Sequence, residues 1–264
     1  MKDNNKENIR EYIRKNYAEV AKNNGSTSCG CCGTQEEVNT ISIDQVSEKI
    51  GYKSDDLKEI PQEAIMGLGY GNPLVIASLN QGETVLDLGS GGGIDCFLAR
   101  KKVGNTGYVI GIDMTPDMIK LSRNLAEKEG YSNIEFRLGE IEHLPVSNDS
   151  IDVIISNCVI NLSLEKEKVF QEAYRVLKPG GRLSISDIMA TSEIDDDIRN
   201  DLAMIAGCIA GAERVDNVIE MLENTGFKNI KTEIQENSGQ IIKSWAPNKK
   251  LDSFIASFIL TAEK

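Results

Sequence analysis

Apolar positions along the chain fall into runs of two kinds. Thr84–Leu88, Tyr108–Asp113, Ser150–Asn157 and Leu183–Ile188 are short and rich in Val, Ile and Leu, and the stretches between them have mixed polarity. This alternation predicts buried parallel strands with helices between them. Ile9, Ile13, Tyr17 and Val20 recur at helical spacing and predict an amphipathic N-terminal helix. The stretch from Asn23 to Gly33 breaks that helix with small residues and carries Cys29, Cys31 and Cys32, so these cysteines are expected on a mobile loop. A short helix is expected across Ile43 to Ile50, and Pro61–Ala64 opens a glycine-rich passage toward the first strand. Beyond the fifth strand, the acidic run Glu193 to Asp197 precedes a helix with Ile198, Leu202 and Ile205 on one face, where carboxylates favour the N-terminus. The remainder predicts a helix around Val218–Leu222, strands at Lys228–Ile234 and Gly239–Lys243, and a last apolar run, Phe254–Leu260.

The expected fold is therefore α/β, an open sheet with helices on both faces, preceded by a helix and a cysteine-rich loop and followed by a small C-terminal α+β domain. The divisions are 1–60 for the N-terminal helix and loop, 61–190 for the cofactor-binding domain and 191–264 for the C-terminal, substrate-site domain.

Composition narrows the class. At 264 residues and 40% hydrophobic content the chain can build one full α/β domain with an appendage. Its net charge of −12 argues against nucleic acid, whose phosphates are bound by clustered Lys and Arg. With neither an apolar run of about 18 residues nor an apolar signal core after Met1, no membrane association is expected and the location is read as cytoplasmic. In that reducing compartment six cysteines are not a disulfide framework, which leaves thiols, ligation or redox chemistry. A mixed acidic surface without an apolar stripe makes a monomer the default.

Chemistry first shows after the strand Thr84–Leu88, where Gly89-Ser90-Gly91-Gly92-Gly93 precedes a helix-like stretch beginning at Ile94. Glycines there let the backbone approach a nucleoside-sized ligand. Asp113 ends the next strand, 26 residues beyond Asp87, near the spacing at which a second-strand acid meets ribose hydroxyls. A dinucleotide fingerprint requires glycine three residues after Gly91, and Ile94 stands there. Asp87 would repel a pyrophosphate but suits a nucleoside bearing a cationic amino acid, a description that S-adenosylmethionine fits.

At these residues the chain resembles the class I S-adenosylmethionine-dependent methyltransferases over roughly residues 60 to 190. Gly139 to Pro145 stands where that family meets adenine, Ser150 to Asn157 where its fourth strand delivers residues to the methyl group, and Leu177-Lys178-Pro179-Gly180-Gly181-Arg182-Leu183 at the turn into its fifth strand. The resemblance implies a Rossmann-like class I methyltransferase sheet with Asp87, Gly89 and Gly91 around the methionine portion. It further implies Asp113 on the ribose, Met114 against the adenine, Ile141 and Glu142 at its edge, and Asn157 giving backbone contacts near the methyl group. Glu142 equally suits an exposed loop carboxylate.

The cysteines carry the substrate information. Cys96 lies on the apolar face of the helix after the glycine loop and reads as a core residue. Cys158 follows Asn157 at the carboxyl end of the fourth strand, where open α/β sheets place ligand-contacting groups. Cys208 lies in Gly207-Cys208-Ile209-Ala210-Gly211-Ala212 at the end of a helix. Taken with the Cys29, Cys31 and Cys32 loop, these thiols can converge on a soft, thiophilic centre. Three phrases resemble the arsenite S-adenosylmethionine methyltransferases: Ile65 to Pro73, Ser156-Asn157-Cys158-Val159-Ile160-Asn161-Leu162, and Gly207 to Ala212. That resemblance implies a methyltransferase serving arsenic detoxification, in which Cys158, Cys208 and a loop cysteine, Cys32 or its neighbour Cys31, hold trivalent arsenic or its thiol conjugate. It also implies a thiol reductant and no structural metal. Family members carry a further cysteine where Tyr70 stands here, so a partner for a disulfide during turnover is missing.

Arsenic supplies its own lone pair, so no general base is needed, and the single histidine, His143, is read as a solvated loop residue. Two other readings stand beside this one. One is a methyltransferase of an organic oxygen, nitrogen or carbon nucleophile with core cysteines, and the other is a thiol sensor or zinc module. The spacing of Cys29, Cys31 and Cys32 is too compressed for the usual zinc pairing.

Overall fold

The protein is described from a computed structural model, over residues 3–23, 47, 48, 50–69, 71–245 and 251–264. Cys29, Cys31, Cys32 and Tyr70 lie outside the described residues, as does most of the helix expected at Ile43 to Ile50.

Seven strands form one sheet: β1 (Thr84–Leu88), β2 (Tyr108–Asp113), β3 (Ile134–Leu138), β4 (Ile151–Asn157), β5 (Leu177–Ala190), β6 (Lys228–Ile234) and β7 (Ile255–Glu263). Their order is β3-β2-β1-β4-β5-β7-β6. The first five are mutually parallel, whereas β7 runs antiparallel to both β5 and β6. The longer helices are α1 (Asp3–Lys22), α2 (Ile94–Val103), α3 (Pro116–Lys128), α4 (Lys166–Val176), α5 (Val215–Thr225) and α6 (Ser238–Trp245).

Alternation along each central strand feeds two cores. Val85, Val109, Phe136, Val153 and Ile155 face one cluster with Phe97 of α2, Ile119 and Leu125 of α3, and Ile9 and Ile13 of α1. Leu86, Leu88, Ile110, Ile112 and Ile154 face the other, with Val169 and Phe170 of α4 and Val218 and Leu222 of α5. Strands buried on both faces must be apolar throughout, which is why β1 and β4 read as continuous runs rather than alternating ones.

The C-terminal stretch differs in detail from its sequence reading. Its strands β6 and β7 extend the main sheet, so residues 191–264 share the fold's one sheet. The expected strand Gly239–Lys243 lies inside helix α6. Ile241 and Ile242 are both buried in the same core cluster, an arrangement that a strand, sending neighbours to opposite faces, does not give. The expected single helix through Ile198, Leu202 and Ile205 is two short ones, Asp196–Arg199 and Leu202–Ala206. Asp201 divides them by accepting from the backbone N–H groups of Ala203 and Met204. A short carboxylate stabilises a helix start far better than a helix interior.

Phe170 is among the largest fully buried side chains and belongs to the second cluster. Phe170→Ala should lower the unfolding free energy by about 3–5 kcal/mol, measured by urea denaturation; a loss below about 1 kcal/mol would show that the second core collapses around the gap.

Candidate active site

Strand order reverses between β1 and its two neighbours, β2 on one side and β4 on the other. Open α/β sheets bind ligands in the crevice outside the carboxyl ends at such a point. There an open cleft encloses about 1240 Å³, its solvent mouth included. Asp87, Gly89, Gly91, Asp113, Met114, Ile141, Glu142, Asn157, Cys158 and Cys208 all line it. The ten expected residues that fall within the described chain thus share one cavity.

The floor is the loop after β1. Gly89 has φ +71°, and a Cβ on it would lie 2.4 Å from Val159, so only glycine lets this loop meet the turn after β4. The Asp113 carboxylate accepts from the N–H of Gly91 at 3.0 Å and of Thr115 at 2.8 Å, which ties the end of β2 to the loop. Asp87 is buried and accepts from the Cys96 thiol at 3.2 Å. Burial and the neighbouring Asp87 hold the Cys96 thiol well above its usual range, in keeping with a core residue and not a reactive one.

Asp95, at the start of α2, was not singled out from the sequence, yet it lines the cleft and is buried. Its carboxylate accepts from the Tyr52 hydroxyl at 2.8 Å, and that hydroxyl accepts from the Asn157 amide at 2.9 Å. The Asn157 amide also donates to Gly71 O at 2.7 Å. The Asn157 side chain therefore fastens β4 to Tyr52 and Gly71. Burial raises the Asp95 pKa to about 6, and burial together with Asp95 pushes Asp87 well above the carboxylate range. Burial also raises Asp113, against its two backbone donors. Among the described residues none of the three has an ion-pair partner. The Ser90 hydroxyl, buried in the cleft wall, has no hydrogen-bond partner there either. Carboxylates without a cation and an orphaned hydroxyl fit a polar, positively charged ligand.

Glu142, left open between adenine edge and exposed loop, is buried and accepts from Ser163 Oγ at 2.6 Å. Arg10 of α1 approaches it at 3.5 Å and Glu165 at 3.0 Å. Farther along α1, the Tyr17 hydroxyl donates to Ala206 O at 3.2 Å. Helix α1 thus roofs the cleft from the Glu142 side to the Cys208 side, and nothing local in its sequence signals this, because its partners lie 155 and 189 positions away. His143 is exposed.

The two cysteines meet at the opposite end. Both are buried, and the Cys208 thiol donates to Cys158 O at 2.8 Å. Both hold left-handed backbone, φ +57° and +63°, a conformation that strains an L-residue and is kept where the surroundings fix it. Among the described residues no third Cys, His or carboxylate completes a metal-type cluster with them, and no helix is long and apolar enough to cross a membrane.

Residues 79–236 match the methyltransferase domain family. The chain is 42% identical, over 99% of its length, to an arsenite methyltransferase of Halobacterium salinarum, of which it covers 68%. It is 40% identical to the human arsenite methyltransferase, over 60% of this chain and 44% of that one, so it spans about half to two thirds of such relatives. The structure superposes with a TM-score of 0.60 on an arsenic(III) S-adenosylmethionine methyltransferase from Chlamydomonas reinhardtii, 30% identical, over 83% of this chain and 72% of that one. A methyltransferase domain and a near-full-length match of this identity settle the lineage: the chain belongs to the S-adenosylmethionine-dependent methyltransferases and, among them, to the arsenite methyltransferase family.

Proposed function

We propose that the chain transfers methyl groups from S-adenosylmethionine to trivalent arsenic held by the thiolates of Cys158 and Cys208, with Cys32, or its neighbour Cys31, as the third ligand. One observation carries the reading. The paired cysteines, joined by the 2.8 Å contact of Cys208 Sγ with Cys158 O, line the same cleft as the Asp87, Gly91 and Asp113 floor. A thiophilic substrate and a nucleoside can then face each other within one cleft.

S-adenosylmethionine, when bound, supplies an electrophilic methyl on a sulfonium. On this side of the reaction the chain holds arsenic in line with that methyl at near-attack distance. The arsenic lone pair forms the As–C bond, the S–CH₃ bonding pair returns to sulfur, and arsenic gives up two electrons. A small-molecule thiol reductant returns it to the trivalent state. Each methyl gained removes one thiolate contact, which loosens the product. Ligation to arsenic requires the thiolate form of each cysteine, and the deprotonation is driven by arsenic binding itself. No proton has to leave the nucleophile, so the exposed His143 has no part. Asp87 and Asp95 receive the ligand's positive charge, Asp113 its ribose hydroxyls, and Met114, Ile141 and Glu142 the base. The protein works as a cytoplasmic monomer on a small metalloid substrate, with no nucleic acid, no membrane and no structural metal involved.

Cys158→Ser and Cys208→Ser should each reduce methylated arsenic to the enzyme-free background while S-adenosylmethionine affinity is kept, measured by separating arsenicals after incubation with trivalent arsenic and excess small thiol. Retained arsenic methylation in either variant would sink the thiolate site.

A second prediction follows from the carboxylates. The folded Asp95 pKa of about 6 stands above its ordinary 3.8, so the folded state binds the extra proton between those values. The stability that protonation confers is complete below the lower value and lost as pH rises through the upper one. The melting temperature of the ligand-free protein should therefore fall as pH rises from about 4 to about 6.5, and saturating S-adenosylmethionine should flatten the fall. Asp95→Asn should lose much of the ligand-free slope; an unchanged slope would show that Asp95 does not titrate in this range.

A further inference from the structure

Asp187 and Asn161 are absent from the cleft lining but fix the turn after Cys158, against which the Cys208 loop packs. Asp187 lies on β5 and is buried, next to Ser186, whose carbonyl accepts from Cys158 N at 2.9 Å. Its Oδ2 accepts from Ile160 N at 3.1 Å, and its Oδ1 accepts from the Asn161 amide at 2.9 Å and from Ile188 N at 2.8 Å. The same amide donates to Ile188 O at 2.6 Å. The turn that follows Cys158 is thereby fixed to β5 at three points.

Asn161 also meets the second loop. A Cβ on Gly211 would lie 1.9 Å from Asn161 O, so only glycine allows the 207–212 loop to approach, and that loop carries Cys208. Its far end is fixed to β5 as well, where Ala190 N donates to Glu213 O at 2.9 Å. Lys166 of α4, half-buried with its Nζ 3.0 Å from Ser163 O, interacts electrostatically with Asp187. An apolar side chain could fill the same space without the penalty of burying a charge. A carboxylate accepting three donors adds direction, and such fully satisfied networks select one arrangement of the backbone.

We propose that Asp187 and Asn161 form a positioning clamp that sets the spacing of the Cys158 and Cys208 thiols and thereby fixes the affinity of the pair for a trivalent or divalent thiophilic ion. Neither residue touches substrate. The clamp accounts for two adjacent loops each keeping a cysteine in left-handed backbone. It rests on the arsenic reading of those cysteines, and its test separates the two.

Asp187→Asn and Asn161→Ala would be compared with the parent in the full chain, by titration with arsenite and with Cd²⁺ followed through thiolate charge-transfer absorbance. Leu222→Ala, in the α5 core away from the cysteines, controls for lost stability. Both clamp variants should bind both ions about 10- to 100-fold more weakly, with S-adenosylmethionine affinity unchanged and Leu222→Ala binding like the parent. Parent-like affinity in both clamp variants, or equal weakening in Leu222→Ala, would overturn the clamp. A parent that takes Cd²⁺ but not arsenite would refute the arsenic reading while the Cd²⁺ series still decides the clamp. A parent that takes neither would show that the thiols are not held as a pair, and would end both.

Discussion

Where the order of a parallel sheet reverses, the connections on either side leave to opposite faces, and no helix of the chain fills the crevice above the strand ends. In this protein that reversal lies around β1. The glycine loop leaves β1, Asp113 ends β2, and Asn157 and Cys158 end and follow β4, so each polar group at these ends is delivered to the same unfilled space. The rest of the chain closes it. Helix α1 lies over the top, and the stretch after β5 that carries Cys208 is fixed back onto that strand where Ala190 N donates to Glu213 O.

A site built this way holds groups in states that folding alone does not favour. Asp87 and Asp95 are buried and Asp113 half-buried, without a described cation, and two cysteines sit in left-handed backbone. Each such feature costs of order 1–3 kcal/mol and persists because the sheet over-determines it. The β1 and β4 residues below the floor are fully buried, so the strands cannot shift to relieve either the charge or the backbone. Preorganisation of this sort places the expense in folding rather than in the reaction.

The strands were legible because burial on both faces leaves continuous apolar runs, and the glycine loop because close packing against Val159 admits no side chain at Gly89. Cys158 and Cys208 were legible as candidates, but the contact between them was not, since it joins loops 50 residues apart. Asp95 was passed over because a carboxylate in the first turn of a helix is ordinary on dipole grounds; only its burial beside Asp87 makes it unusual. The misread C-terminal elements have local causes. Asp201 caps a helix where hydrophobic spacing suggested continuity, and the adjacent Ile241 and Ile242 suit a helix that packs on β7 as readily as a strand.

Charge is distributed unevenly around the cleft. Arg10 and Arg14 reach Glu142, Glu165 and Glu140 at the rim, where ion pairs are partly solvated and contribute about 0–1 kcal/mol each. They orient the roof more than they hold it, and the buried apolar face of α1 at Ile9, Ile13 and Val20 supplies the attachment. At the floor, where desolvation makes a cation most valuable to three carboxylates, the described chain supplies none. A positive charge arriving with a ligand therefore gains most where the protein has withheld its own, through the same burial that raises the carboxylate pKa values.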